Sequence, residues 1–207
     1  EGNNYKPLPF SFERDSIATR VNKEGLIEVV GKDKPRIDYT DSADGVLLLE
    51  NSATNLIIYS ETLSNWFTDG VSIVDNSIIS PDGTQNASKI NFISGNKRTY
   101  IPVSTSNAVF TCYFKGVSGQ VIRFRDNTNT VFTDVTLTDT WTRHEFTKTS
   151  SNPNIQIQSI DADYVYAWGV QAEVGSYATS YISTSGSTDQ RAAETANGSG
   201  NSEVFND

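Results

Sequence analysis

Tyr164-Val165-Tyr166-Ala167-Trp168-Gly169-Val170-Gln171-Ala172-Glu173, followed by Gly175-Ser176-Tyr177-Ala178-Thr179-Ser180-Tyr181-Ile182, is the stretch on which the fold reading turns. Side chains alternate between the two faces of a strand, so Tyr164, Tyr166 and Trp168 fall on one side. Three large rings on one side either bind something or fill a core. Parity gives the alternation but not which face meets solvent.

The rest of the chain has the same texture. Thr, Ser, Asn, Val and Ile dominate, and sustained helical periodicity is missing. Short β-rich runs recur between the turn dipeptides Asp44-Gly45, Asp69-Gly70 and Asp82-Gly83. This spacing predicts an all-β sandwich or barrel. Strands are expected over Gly45–Glu50, Leu56–Tyr59, Val71–Val74, Ala87–Ile93, Arg98–Val103, Ala108–Lys115, Gln120–Arg125, Val131–Leu137, Thr142–Lys148, Asn154–Ile160 and Tyr164–Glu173. A short helix is expected near Glu61–Trp66.

At 207 residues the chain is long enough to bury a core without staples. The single cysteine, Cys112, excludes an intramolecular disulfide and sits in the apolar run Val109–Phe114, as a small core residue would. A formal charge of −9 argues against non-specific nucleic-acid binding, which needs clustered Lys and Arg. It suits neutral sugars, calcium or basic surfaces. No run approaches the length of a membrane-spanning helix. The absence of any Met makes the chain read as a piece of something longer.

Three parts are expected. Residues 1–53, with Pro7, Pro9 and two short strands about Gly25, read as an extended strap that ends by joining the sandwich. Residues 54–183 carry the sandwich. Residues 184–207 are rich in Ser, Thr, Gly, Asn and Ala and read as a linker or the start of a following domain.

Within the first part, Ser16-Ile17-Ala18-Thr19-Arg20-Val21-Asn22, Gly25-Leu26-Ile27-Glu28 and Pro35-Arg36-Ile37-Asp38-Tyr39 form an ordered series. Leu47-Leu48-Leu49-Glu50, Thr54–Glu61, Trp66, Pro81-Asp82-Gly83-Thr84 and Ala87-Ser88-Lys89-Ile90 continue it. The order resembles a module of bacteriophage tail-fibre, head-fibre and other virion surface proteins, and of adhesin-like bacterial proteins. From Asn55 onward the chain is similar to the jelly-roll carbohydrate-binding modules of families four, nine and twenty-two. The resemblance implies a two-sheet antiparallel jelly roll that binds glycans without cleaving them, on a virion or cell surface. Those modules close with an acidic pair that ligates a structural calcium ion. Here the closing strand reads Ala167-Trp168-Gly169-Val170-Gln171, with no acid at that place.

The chemistry left open is narrow. His144 is the only histidine, so a catalytic triad or a zinc site finds little support. No nucleophile elbow or P-loop is present. Carboxylates are many and scattered, and most read as turn residues or solvated faces rather than as a glycosidase pair. Glu61 and Glu173 are the candidate calcium ligands, since the first and last strands of a jelly roll are neighbours; otherwise both are surface acids. A pyranose packs its C–H face on an aromatic ring and needs polar partners for its hydroxyls. The carbohydrate-binding candidates are therefore Trp66, Tyr100, Tyr113, Trp141 and Tyr166, with Arg123 and Arg125 as hydrogen-bonding partners. Core packing is the alternative for each ring. The expected partner is a poly- or oligosaccharide, with other virion or surface proteins as further partners. A fibre or capsid assembly domain, or an accessory domain of a polysaccharide-degrading enzyme, are the competing readings.

Overall fold

A computed structural model describes residues 11–103, 105–127, 132–148 and 154–197. The N-terminal part forms β1 (Ser11–Glu13), β2 (Ala18–Val21), β3 (Ile27–Val30), β4 (Arg36–Asp38), β5 (Val46–Leu48) and β6 (Ala53–Asn55). A 3-10 turn at Leu63–Asn65 leads to β7 (Phe67–Asp69), β8 (Val71–Ile78), β9 (Ala87–Phe92), β10 (Arg98–Pro102) and β11 (Ala108–Lys115). Then come β12 (Val121–Asp126), β13 (Phe132–Thr136), β14 (Thr142–Lys148), β15 (Asn154–Ser159) and β16 (Tyr164–Val174). Two short strands follow, β17 (Asp189–Arg191) and β18 (Thr195–Asn197).

The fold is an all-β antiparallel sandwich of the jelly-roll class. One five-stranded sheet runs β13-β12-β15-β10-β7 and the other β14-β11-β16-β9-β8. Period-two alternation explains which residues meet between them. On β12, Ile122 and Phe124 point inward, and on β15 Ile155 and Ile157 do the same. On the opposite sheet Phe110, Cys112 and Phe114 of β11, with Val165 and Ala167 of the neighbouring β16, supply the other side of one continuous core. Phe124 stacks edge-on against both Phe114 and Phe146.

Cys112 is fully buried, and burial pushes its thiol well above the usual range. A thiol reagent should therefore leave the native protein unlabelled and modify Cys112 only in denaturant. Rapid labelling of the folded chain would contradict this placement.

The aromatic stretch that opens the sequence reading divides within β16. Tyr164 and Tyr166 lie half-buried on the outer face, beside Lys89. Trp168 is buried in a second cluster with Ile27, Ala87 and Tyr181, under the strap. A bulge follows it: Tyr113 pairs with Trp168, but Thr111 pairs with Gln171. Gly169 makes this turn at φ +65°, where a Cβ would meet the Tyr113 and Tyr181 rings at 3.4 Å.

One expectation about the C-terminal segment needs correction. Residues 184–207 do not read as a linker where they are described. β17 pairs with β6, β18 pairs with β1, and Arg191 is buried. Polar composition concealed this because the segment is held by charge rather than by apolar burial. In the strap, Val46, Leu47 and Leu49 stay outside the core. Among the described residues β5 pairs only with β4, and these side chains stay exposed.

The strap and the chain's exit segment are tied by an alternating ion chain. Arg14 pairs with Glu194, Glu194 with Arg36, Arg36 with Glu50, and Glu50 with Arg191. Arg14, Arg36 and the Glu194 side chain are fully buried.

Candidate functional site

The outer face of the sheet β13-β12-β15-β10-β7 is built by the same alternation that fills the core. With Ile122 and Phe124 inward, Arg123 and Arg125 must point outward. Register then assembles two rows across all five strands. Arg125 lies opposite Phe132 on one side and Gln156 on the other; Gln156 lies opposite Tyr100, and Tyr100 opposite Phe67. The row reads Phe132–Arg125–Gln156–Tyr100–Phe67. Two residues along each strand lies a second row, Asp134–Arg123–Gln158–Arg98–Asp69.

Exposure along the first row is graded. Gln156 is 1% and Arg125 9% exposed at the centre, whereas Phe132 is 40% and Phe67 57% exposed at the edges. Phe67 stacks on Tyr100 with centroids 5.3 Å apart and planes at 19°, so two rings form one apolar ledge. At the opposite edge the Arg123 guanidinium lies 3.9 Å from the Phe132 centroid.

The polar groups are held in place. Arg123 makes a forked pair with Asp134, Nε and Nη2 donating at 2.6 and 2.8 Å. This pairing raises the Arg123 pKa and lowers that of Asp134. Arg125 Nη1 donates to Gln158 Oε1 at 3.1 Å and its Nε to the Asp126 carbonyl at 2.9 Å. Gln156 Nε2 donates to Asn127 Oδ1 at 2.7 Å. Arg98 reaches Asp69 at 3.3 Å, while its Nε is buried with no hydrogen-bond partner. The face thus offers rings at both edges and fixed amides and guanidiniums between them.

Of the residues expected from sequence, Tyr100, Arg123 and Arg125 meet on this face. The others do not. Trp66 is only 4% exposed and donates Nε1 to the Tyr59 carbonyl at 3.1 Å. It belongs to the core and offers no ring to a ligand. Tyr113, Trp141 and Tyr166 lie on the other sheet's outer side. Tyr113 packs edge-on against Trp168 and lines a groove of about 630 Å³ between strap and sheet, with Arg143, Asp38 and Tyr39. Trp141 packs against the second cluster and donates Nε1 to the Ile79 carbonyl at 3.0 Å.

The polar lining of that groove binds the strap down. Asp38 accepts from the Val21 and Thr40 amides, Thr19 Oγ1 donates to the Tyr181 carbonyl, and Arg143 donates to the Thr179 carbonyl. His144 is half-buried, and burial lowers its pKa.

The candidate calcium pair serves two separate networks. Glu61 accepts from the Tyr181 and Ser183 hydroxyls at 2.8 Å and from the Asn86 amide. Glu173 accepts from Gln171 Nε2 and from the amide and hydroxyl of Thr179. Among the described residues no group of three or more His, Cys, Asp or Glu side chains could hold a metal ion.

Sequence reading missed Phe67, Phe132, Gln156 and Arg98. Phe132 and Asp134 alternate within one expected strand, so parity could have paired them. Register, which joins them to Tyr100 and Phe67, cannot be read from one strand at a time.

Neither a protein-family model nor a curated protein matches the sequence. Among solved structures, a family 29 carbohydrate-binding module is similar at 10% identity and TM-score 0.45, over 60% of this chain and 93% of that one. The C-terminal family 6 module of a laminarinase from Zobellia galactanivorans is similar at 14% identity and TM-score 0.40, over 59% and 99%. A xylanase fragment from Clostridium thermocellum with a family 22 module, complexed with xylohexaose, gives 10% and 0.44, over 64% of this chain and 30% of that one. Among the described residues no helix is long and apolar enough to cross a membrane.

Proposed function

We propose that this chain is a non-catalytic saccharide-binding module whose binding surface is the outer face of the sheet β13-β12-β15-β10-β7. The observation that carries the reading is the row Phe132–Arg125–Gln156–Tyr100–Phe67. It sets exposed rings beside fixed amide and guanidinium groups. A sugar ring needs both, an apolar surface for its C–H face and directional partners for its hydroxyls. Neighbouring strands lie about 4.8 Å apart, so Tyr100 and Phe132, three strands distant, are separated by about 14 Å. That span suits an oligosaccharide better than a single sugar. The resemblance of the N-terminal part to virion and adhesin modules supports display on a virion or bacterial surface.

A glycan array followed by affinity electrophoresis in polysaccharide gels tests the reading. Tyr100→Ala and Phe67→Ala should each weaken retention about tenfold, the scale of one aromatic contact. Tyr177→Ala, an exposed ring away from the face, should leave it unchanged. Binding that survives Tyr100→Ala and Phe67→Ala but is lost in Tyr113→Ala would move the site to the strap groove. No retention by any glycan, with the fold intact, would sink the proposal.

A further inference from the structure

Charge on the proposed face is sorted by strand. The three interior strands, β12, β15 and β10, send out Arg123, Arg125, Gln156, Gln158, Arg98 and Tyr100. Three of these carry a guanidinium and none a carboxylate. Both acids in the rows, Asp134 and Asp69, stand on the edge strands β13 and β7. In a chain of net charge −9, this concentrates positive charge in the middle of one surface.

We propose that the saccharide taken by this face is acidic, bearing carboxylate or sulfate groups, and that its anionic group seats among Arg125, Arg123 and Arg98. The inference rests on the saccharide reading above and deepens it. Guanidinium is the side chain best matched to a planar carboxylate or a sulfate, because its fixed fork donates two parallel bonds. Here the forks are already oriented. Asp134 fixes Arg123 from the edge, Gln158 holds Arg125, and Asp69 draws Arg98 from the other edge, leaving Arg98 Nε without a partner. Like charges brought this close repel. Burial, then the charges of Arg123 and Arg98, push the Arg125 pKa down, with Asp126 pulling the other way. An anion placed among the three relieves that repulsion, whereas a neutral sugar does not. Gln158, half-buried between the arginine-bearing strands, remains suited to neutral hydroxyls.

The probes are polygalacturonate against its methyl-esterified form, and a sulfated galactan against the desulfated polymer, with inorganic polyphosphate as a non-sugar polyanion. The expected result is retention by at least one acidic polymer about tenfold stronger than by its neutral partner, the scale of a charged hydrogen bond. Retention should weaken steeply as salt approaches about 1 M, where screening acts within about 3 Å. Which acidic polymer is preferred separates carboxylate from sulfate. Arg125→Gln should remove the preference. Because Arg125 is largely buried, Asp134→Asn on the exposed edge gives a second reading: with Arg123 released from its carboxylate, the ratio of acidic to neutral retention should rise. Equal binding of acidic and neutral polymers, insensitive to salt, would overturn the inference and leave the saccharide reading standing. Equal retention by polyphosphate would overturn it in favour of a general anion patch. Failure of every polymer, with the fold intact, would remove both.

Discussion

Arg36→Met should lower the free energy of unfolding by about 3–5 kcal/mol, the scale of breaking a buried ion network by removing one member. Arg36 is fully buried and donates to both oxygens of Glu194, to Glu50, to the Thr19 carbonyl at 2.7 Å and to Ser180 Oγ at 2.7 Å. It stands at the middle of the chain Arg14–Glu194–Arg36–Glu50–Arg191, which binds strap, β6 and exit segment into one body. Met matches much of the volume but none of the five bonds. Urea unfolding followed by tryptophan fluorescence measures the effect; a loss under about 1 kcal/mol would mean that the ion chain is a bystander.

The same chain sets an acid limit. Burial raises the Glu194 pKa, but hydrogen bonds from Arg36 and Arg14 outweigh it and hold the carboxyl below its ordinary 4.5. At Glu50, burial is likewise outweighed by Ser180, Arg191 and Arg36. A carboxylate whose folded pKa is depressed contributes stability that is complete above its unfolded pKa and fades as pH falls through the folded one. Unfolding free energy should therefore fall steadily below about pH 4.5, with a shallower slope in Arg36→Met.

How much of this was legible depends on the kind of pattern involved. Alternation along a single strand sets Arg123 and Arg125 on the face opposite Ile122 and Phe124, and the recurrence of short strands between turns points to the sandwich. The Asp-Gly turns held because Gly45, Gly70 and Gly83 all adopt positive φ. The binding face was only half legible. Tyr100, Arg123 and Arg125 could be nominated one by one, but the row joining them to Phe132 and Phe67 exists only through register between strands distant in sequence. Trp66 misled for the converse reason. A Trp with a satisfied Nε1 in the core looks the same in sequence as one that waits for a sugar. The tail misleads because polar composition reads as a lack of anything to bury, whereas Arg191 and the Glu194 side chain are themselves buried.

Gly70→Ala should be as damaging as the loss of Arg36, and it should act on the proposed site as well. Gly70 joins β7 to β8, where the chain passes from one sheet to the other, and holds φ +71°. A Cβ there would lie 1.5 Å from the Ser94 carbonyl oxygen. The corner cannot simply open, because the Gly70 carbonyl accepts from the Ile93 and Ser94 amides at 2.9 and 3.2 Å. Left-handed strain costs about 1–2 kcal/mol and overpacking about 1–3 kcal/mol, so a loss of about 2–5 kcal/mol is expected. Gly119→Ala separates the two contributions, since Gly119 also has positive φ (+91°) but has nothing within 4 Å of its would-be Cβ. It should show the strain alone. The strand displaced in Gly70→Ala is β7, held to β10 by the Thr99 hydroxyl donating to the Phe67 carbonyl at 2.9 Å. Moving it separates Phe67 from Tyr100, so glycan retention should fall in conditions where the variant is still folded. If Gly70→Ala costs no more than Gly119→Ala and retention is intact, then the corner yields freely and the ledge of two rings does not depend on it.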